Sequence, residues 1–218
     1  MKKPRLAILT SHPIQYYAPL FRTLAKKIDL HVFYAHRPED VDQAAVGYGK
    51  SFSWDTDLLS GYQHSFLKNV ARHPVTSSYF GSDTPEVGSR LREGDFTHVL
   101  SLGWNLKSYQ QGILAAKISG MIVMVRGDSQ LVTPRSPLKK VAKAVAYPLL
   151  LKVFDAVLYV GSINRDYYLH YRYPKERMFF SPHAVDNEHF SSGATKVNGR
   201  AVREGLGLSH STFVVLFV

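Results

Sequence analysis

Short β-prone runs recur along this chain, and stretches with the apolar spacing of a helix separate most of them. Arg5–Ser11 (RLAILTS) reads as a buried strand, a helix follows from Tyr17, and Asp29–Ala35 (DLHVFYA) reads as the next strand. Pro19 falls in the first helical turn, where a missing N–H costs nothing, and Leu20, Phe21, Leu24 and Ile28 recur at helical spacing. Such an order favours a parallel pair, because parallel strands need a crossover long enough to hold a helix. The rhythm returns with a strand at Thr97–Leu102, a helix at Lys107–Ser119 stopped by Gly120, and a strand at Met121–Val125. A helix at Leu138–Phe154, interrupted at Pro148, then leads to a strand at Ala156–Val160, a helix at Asn164–Tyr171 and a strand at Met178–Ser181. The pattern predicts an α/β, Rossmann-like domain: a mostly parallel sheet flanked by helices, with right-handed crossovers.

Between Arg37 and Phe96 the pattern loosens. Ser51–Asp57 and Tyr62–Leu67 are strand candidates, and His73–Gly81 is loop-like. Thr84 is placed to cap a helix whose first residue is Pro85. Towards the other end, Ser191–His210 reads as a linker with a short helix around Arg200–Leu206, and Thr212–Val218 is a β-prone run with no sheet of its own. These features divide the chain into a domain at 1–190, a linker at 191–211 and the opening strand of a second domain at 212–218. The expectation is that a longer protein continues from there.

Composition narrows the chemistry. The chain has no cysteine, which excludes disulfides, zinc–thiolate sites, iron–sulfur clusters and a cysteine nucleophile. The longest apolar run, Ala144–Leu151, is far short of the ~20 residues of a membrane span. The apolar stretch Leu6–Leu9 is too short for the ~7–15 residues of a signal-peptide core, so a cytoplasmic protein is the expectation. The formal net charge is +10 and is unevenly spread. Residues 101–181 carry 12 basic and 4 acidic groups, a net of +8, against +2 for residues 1–100 and zero for 182–218. That field suits phosphorylated substrates, anionic lipid or nucleic acid, or simply a soluble surface.

In an open parallel sheet, ligands bind beyond the carboxyl ends of the strands, so the residues there are the candidates. After the first strand come Ser11, His12, Pro13, Ile14, Gln15 and Tyr16, leading into a helix start. The segment lacks the glycines of a dinucleotide fold, and no phosphate-binding loop occurs elsewhere. His12 is either an acid/base or phosphate contact, or a loop residue capping the helix. After Met121–Val125 come Arg126, Gly127 and Asp128. Arg126 would bind phosphate and Asp128 would orient or deprotonate a hydroxyl; alternatively the two pair across a turn at Gly127. Trp104 and Asn105, after Thr97–Leu102, suit the lip of a pocket, with a core aromatic as the alternative for Trp104. Lys139, Lys140 and Lys143 flank the aliphatic stripe Leu138, Val141, Val145 and Leu149, as in a helix lying on anionic lipid; the alternative is an amphipathic helix packed on the sheet. The histidines show no metal-ligand spacing, so no metal is expected.

The segment Phe179–Phe190 (FFSPHAVDNEHF) resembles the motif that precedes the hinge in family 4 (group 1) glycosyltransferases. Pro182, Val185, Asp186 and Phe190 match its Pro-Asn-Gly-Val-Asp-x-x-x-Phe pattern, while His183 and Ala184 stand where Asn and Gly are usual. Ser11–Tyr17 (SHPIQYY) is similar to a bacterial branch that has Ser-His-Pro in place of a glycine-rich loop. The resemblance implies a two-domain GT-B architecture, of which this chain would be the amino-terminal, acceptor-binding half. It implies transfer of a sugar from a nucleotide-sugar donor to a lipid-linked or surface-polysaccharide acceptor, with retention and without a metal or other cofactor. The donor half's paired glutamates, eight apart, have no counterpart: Glu86 and Glu93 are seven apart. This chain alone is therefore expected to be inactive. His12 and Asp128 are the candidate catalytic groups, with Ser11, Gln15, Tyr16, Trp104, Asn105, Arg126 and Gly127 around the acceptor. An anionic membrane surface is an expected partner, and nucleic acid is not. Two other readings stand beside this one. A sugar-nucleotide epimerase would begin with a Gly-x-Arg-Pro-type loop that Ser11–Pro13 does not match. A non-enzymatic basic domain would show salt-dependent nucleic-acid binding.

Overall fold

The computed structural model describes residues 3–37, 54, 57–132, 136–209 and 211–215. It divides into two compact units, Met1–His183 and Ala184–Val218. In chain order the first unit contains β1 (Arg5–Thr10), α1 (Ala18–Ala25), β2 (Asp29–Tyr34), β3 (Gln63–Phe66), α2 (Val87–Glu93), β4 (His98–Ser101) and α3 (Lys107–Ile118). It continues with β5 (Ile122–Gly127), α4 (Pro137–Leu150), β6 (Ala156–Tyr159), α5 (Ser162–His170) and β7 (Met178–Phe180). The strands form one seven-stranded sheet in the order β3-β2-β1-β4-β5-β6-β7, and every pairing is parallel. The expected Rossmann-like α/β architecture is therefore observed.

Alternation along β1 sorts its side chains between two cores. Ala7 and Leu9 join the larger cluster, with Val87 and Leu91 of α2, Tyr109, Ile113 and Ala116 of α3, and Tyr167 and Tyr168 of α5. Ile8 points to the other face, where Phe21 of α1, Val32, Tyr34 and Tyr62 form the smaller cluster. Helix α3 comes close to the sheet at Gly112. A Cβ there would lie 2.3 Å from Leu9 Cδ1, so only glycine lets α3 seat this close to β1.

The structure moves several sequence boundaries. β5 extends through Arg126 and Gly127, which the sequence reading placed after the strand. Thr84 is not a cap: its hydroxyl is buried with no partner among the described residues, and α2 begins at Val87 with Glu86 before it. Pro148 does not interrupt α4, which runs to Leu150 and into a 3-10 turn at Leu151–Val153. Pro148 cannot bond the carbonyl four residues back, but that residue, Ala144, is exposed, so water can satisfy it. Ile28 lies beyond the end of α1 and is 41% exposed. The strand candidate Ser51–Asp57 lies outside the described residues, apart from Trp54 and Asp57.

The second unit holds α6 (Asn187–Gly193) and α7 (Lys196–Gly205). Each is capped by the residue before it: Asp186 accepts from His189 N–H at 3.0 Å, and Thr195 accepts from Asn198 N–H at 3.1 Å. Thus α7 starts earlier than the helix expected around Arg200, and α6 occupies part of the Pro182–Phe190 motif. The expected strand at Thr212–Val218 is not formed over its described part, Thr212–Val215, because no neighbouring backbone pairs with it among the described residues.

Candidate functional site

The chain leaves β1 towards β2 and β3 on one side, and β4 lies on the other. That reversal opens a crevice at the carboxyl ends of β1 and β4, where an open α/β sheet binds its ligands. The loop after β1 borders it with Ser11 buried, His12 and Gln15 partly buried, and Tyr16 exposed. His36 N–H donates to the Ser11 carbonyl at 2.8 Å, tying this loop to the end of β2. Ser11 Oγ lies 2.9 Å from His12 Nδ1. Burial, reinforced by the neighbouring His36, pushes the His12 pKa down to about 4. His12 is therefore neutral at pH 7. A neutral imidazole offers hydrogen bonds to a hydroxyl or a phosphate oxygen without adding positive charge.

Tyr109 of α3 supports the loop from beneath. Its hydroxyl is buried, which raises its pKa, while hydrogen bonds involving Ser11 and Thr10 oppose the rise. Gly103, just after β4, adopts a φ of +149°, and a Cβ there would lie 2.9 Å from the Tyr109 ring. The tyrosine and the β4 exit thus pack together only because that position is glycine.

Arg126 is 2% exposed and braces the crevice on the β5 side. Its Nη1 donates to the Tyr17 hydroxyl at 3.1 Å, its Nη2 to the Pro182 carbonyl at 3.1 Å, and its Nε to Ser181 Oγ at 3.2 Å. The Arg126–Asp128 turn pair is therefore not formed; the guanidinium reaches across the sheet edge to the starts of two other segments. All its hydrogen-bond acceptors are neutral, and among the described residues no carboxylate lies within ion-pair distance of it. Its charge is felt by its neighbours. Burial pushes the Tyr17 pKa up to about 12, against the opposing pull of Arg126. Tyr16 is also raised, first by burial and then by Asp128.

Asp128 is exposed and makes no hydrogen bond or ion pair among the described residues. Its neighbour Ser129 is fixed, since buried Asn164 donates from Nδ2 to the Ser129 carbonyl at 2.7 Å and accepts from Val160 N–H at 3.2 Å. Tyr16 meets the exposed His183 ring edge-on, 5.8 Å between centroids. The structure therefore gathers Tyr16, Tyr17, Arg126, Asp128 and His183 on the β5 side, and Ser11, His12 and His36 on the β2 side. No direct contact joins His12 to Asp128 among the described residues.

Trp104 is placed elsewhere. It packs on Phe154 and Tyr147, with centroids 5.4 and 5.8 Å away, and lines a cavity of about 430 Å³ between α3 and α4, which Asn105 also borders. Gly127 has an ordinary φ and leaves room for a side chain, so nothing in its surroundings demands glycine. Lys140 and Lys143 lie along α4; the side chain of Lys139 lies outside what is described. Sequence reasoning missed Tyr17, His36, Ser181 and Asn164. Ser181 adjoins the recognised Pro182 motif, whereas Asn164 carried no signal beyond its place at a helix start. Among the described residues no three His, Asp or Glu side chains are gathered as a metal site needs.

No protein-family model matches the sequence, and no curated protein matches it. The fold is similar to that in the crystal structure of a glycosyltransferase from Rickettsia africae ESF-5, with a TM-score of 0.57 over 97% of this chain at 9% identity. This chain spans about half of that protein, 51% of its length. At this identity the likeness is one of fold.

Proposed function

We propose that this chain is the acceptor-binding half of a glycosyltransferase of the two-domain GT-B kind. The observation that carries the proposal is the likeness of nearly the whole chain to about half of a glycosyltransferase, at a sheet whose switch-point crevice holds polar and aromatic groups suited to a sugar. The Pro182–Phe190 resemblance supports the same reading.

In this reading the acceptor glycan, free or lipid-linked, lies over the loop Ser11–Tyr16. Neutral His12 and Gln15 hydrogen-bond its hydroxyls, and Tyr16 presents an exposed ring to a sugar face. Asp128 is the carboxylate free to take the proton of the attacking hydroxyl as that oxygen bonds to the anomeric carbon and the nucleoside diphosphate departs. Arg126 is a positioning residue, holding Tyr17 and the Ser181–Pro182 exit so that the crevice keeps its shape. The nucleotide-sugar donor would bind a second domain, and the reading includes no resident metal or other cofactor.

Saturation-transfer NMR on the 218-residue chain, with a panel of bacterial surface-glycan fragments and a panel of nucleotide-sugars, tests this reading. Binding of at least one glycan, weakened by Gln15→Ala and His12→Ala, is expected, with no binding of nucleotide-sugars. Nucleotide-sugar binding without any glycan binding would reject the assignment of this half, and tight nucleic-acid binding at physiological salt would replace it with the basic-domain reading.

A further inference from the structure

Helix α4 is amphipathic in sequence, yet its apolar stripe does not face the protein. Leu138, Val141, Val145 and Leu149 recur at spacings of three and four, and are 79%, 63%, 70% and 67% exposed. None of the helix's described side chains is buried; its inner side is Tyr147, whose ring lies 5.0 Å from that of Tyr171 and 5.8 Å from that of Trp104. The apolar surface continues onto α3, where Leu114 shares with Leu150 the lining of the 430 Å³ cavity and Ile118 is 77% exposed. Soluble surfaces rarely carry an apolar strip this continuous without a partner to cover it.

Basic groups flank the strip. Lys140 is exposed beside it, Lys143 reaches back over the Tyr147 ring with its ammonium 4.3 Å from the centroid, and Lys152 is exposed just beyond the helix. The surrounding segment, 101–181, carries the net +8. Two such faces would repel each other, which disfavours a second copy of this chain as the cover. An outward aliphatic ridge with lysines beside it complements an anionic bilayer, where the aliphatics enter the acyl boundary and the ammonium groups remain among the headgroups.

We infer that the α3–α4 face docks the protein on anionic membrane. Helix α4 lies in the interface plane, with Leu138, Val141, Val145 and Leu149 inserted and Lys140 and Lys152 on lipid phosphates. Among the described residues no helix is long and apolar enough to cross a membrane. The inference stands apart from the glycosyltransferase reading, since vesicle binding and glycan binding are measured separately and either can fail alone.

Co-sedimentation of the 218-residue chain with phosphatidylcholine vesicles, with and without a quarter phosphatidylglycerol, provides the test. The chain should sediment with the anionic vesicles and not with the neutral ones, and raising salt should release it. Val145→Asp should lower the partition coefficient about tenfold or more. Lys140→Ala should lower it about fivefold. Leu138→Ser serves as a second apolar variant, and circular dichroism checks that each variant folds. Failure to bind anionic vesicles, equal binding to neutral ones, or undiminished binding by folded Val145→Asp and Leu138→Ser would each overturn the inference. So would a dimer in sedimentation velocity that Val145→Asp dissociates while vesicles leave the chain in solution.

Discussion

Helices α3 and α4 flank the same cavity, yet they meet the protein in opposite ways. α3 is only weakly amphipathic, but it buries Tyr109, Gly112, Ile113 and Ala116 against the sheet. α4 has the stronger apolar stripe and turns it to solvent. The difference shows that helical periodicity identifies a face seeking cover without saying what covers it. For α3 the cover is β1, met through the close approach at Gly112. For α4 no described part of the sheet covers the stripe.

Four measurements test how differently the two helices are packed. The largest effect belongs to the packed helix: Ile113→Ala should cost about 2–5 kcal/mol in denaturant unfolding, because it leaves a cavity against the sheet. A loss below about 1 kcal/mol would mean α3 is no better packed than α4.

The second measurement concerns the loop that α3 supports through Tyr109. His12 is held at a pKa of about 4 in the folded chain, against 6.5 in the unfolded chain. The unfolded state therefore takes up the proton first as pH falls. Stability present above pH 6.5 should be lost by roughly 3 kcal/mol on descending through pH 4, read from urea midpoints across that range. His12→Asn should flatten the slope. A residual slope of the same sign should remain, because His31, lowered chiefly by burial, contributes in the same direction. Variants on the exposed face of α4 should leave that slope unchanged.

Third, Gly112→Ala should destabilise by about 1–3 kcal/mol despite alanine's better helix propensity, since its Cβ would overlap Leu9. A stabilised variant would show that α3 can lift away from β1 at little cost. The smallest effect is expected on α4: Val145→Ala in the absence of lipid should change stability by less than about 0.5 kcal/mol. A larger loss would mean that the stripe is packed within the protein after all.

Much of the fold was legible because strand and helix signals are local. β1 and β2 could be read from their β-branched and aromatic residues, and the end of α3 from Gly120, which adopts a φ of +72°. Boundaries governed by tertiary contacts were not. Extension of β5 through Arg126 depends on its pairing with Leu158 of β6, and the buried hydroxyl of Thr84 depends on what surrounds it. The candidate site divides in the same way. Its position after β1 and β5 followed from the topology, but the partners of Arg126 are 55 and 109 positions away, beyond any local pattern. Trp104 shows the converse: its place after β4 suited the crevice, and its ring went to the Tyr147–Phe154 side.

The parallel α/β order, the lack of thiol chemistry and the concentration of positive charge between residues 101 and 181 can all be read along the chain. These follow from periodicity, composition and charge, which require no knowledge of neighbours. The lowered pKa of His12, the bracing of two distant segments by Arg126 and the outward ridge of α4 arise only once the chain is folded. Each depends on which groups exclude water from a side chain, and burial is a property of the assembled sheet and helices.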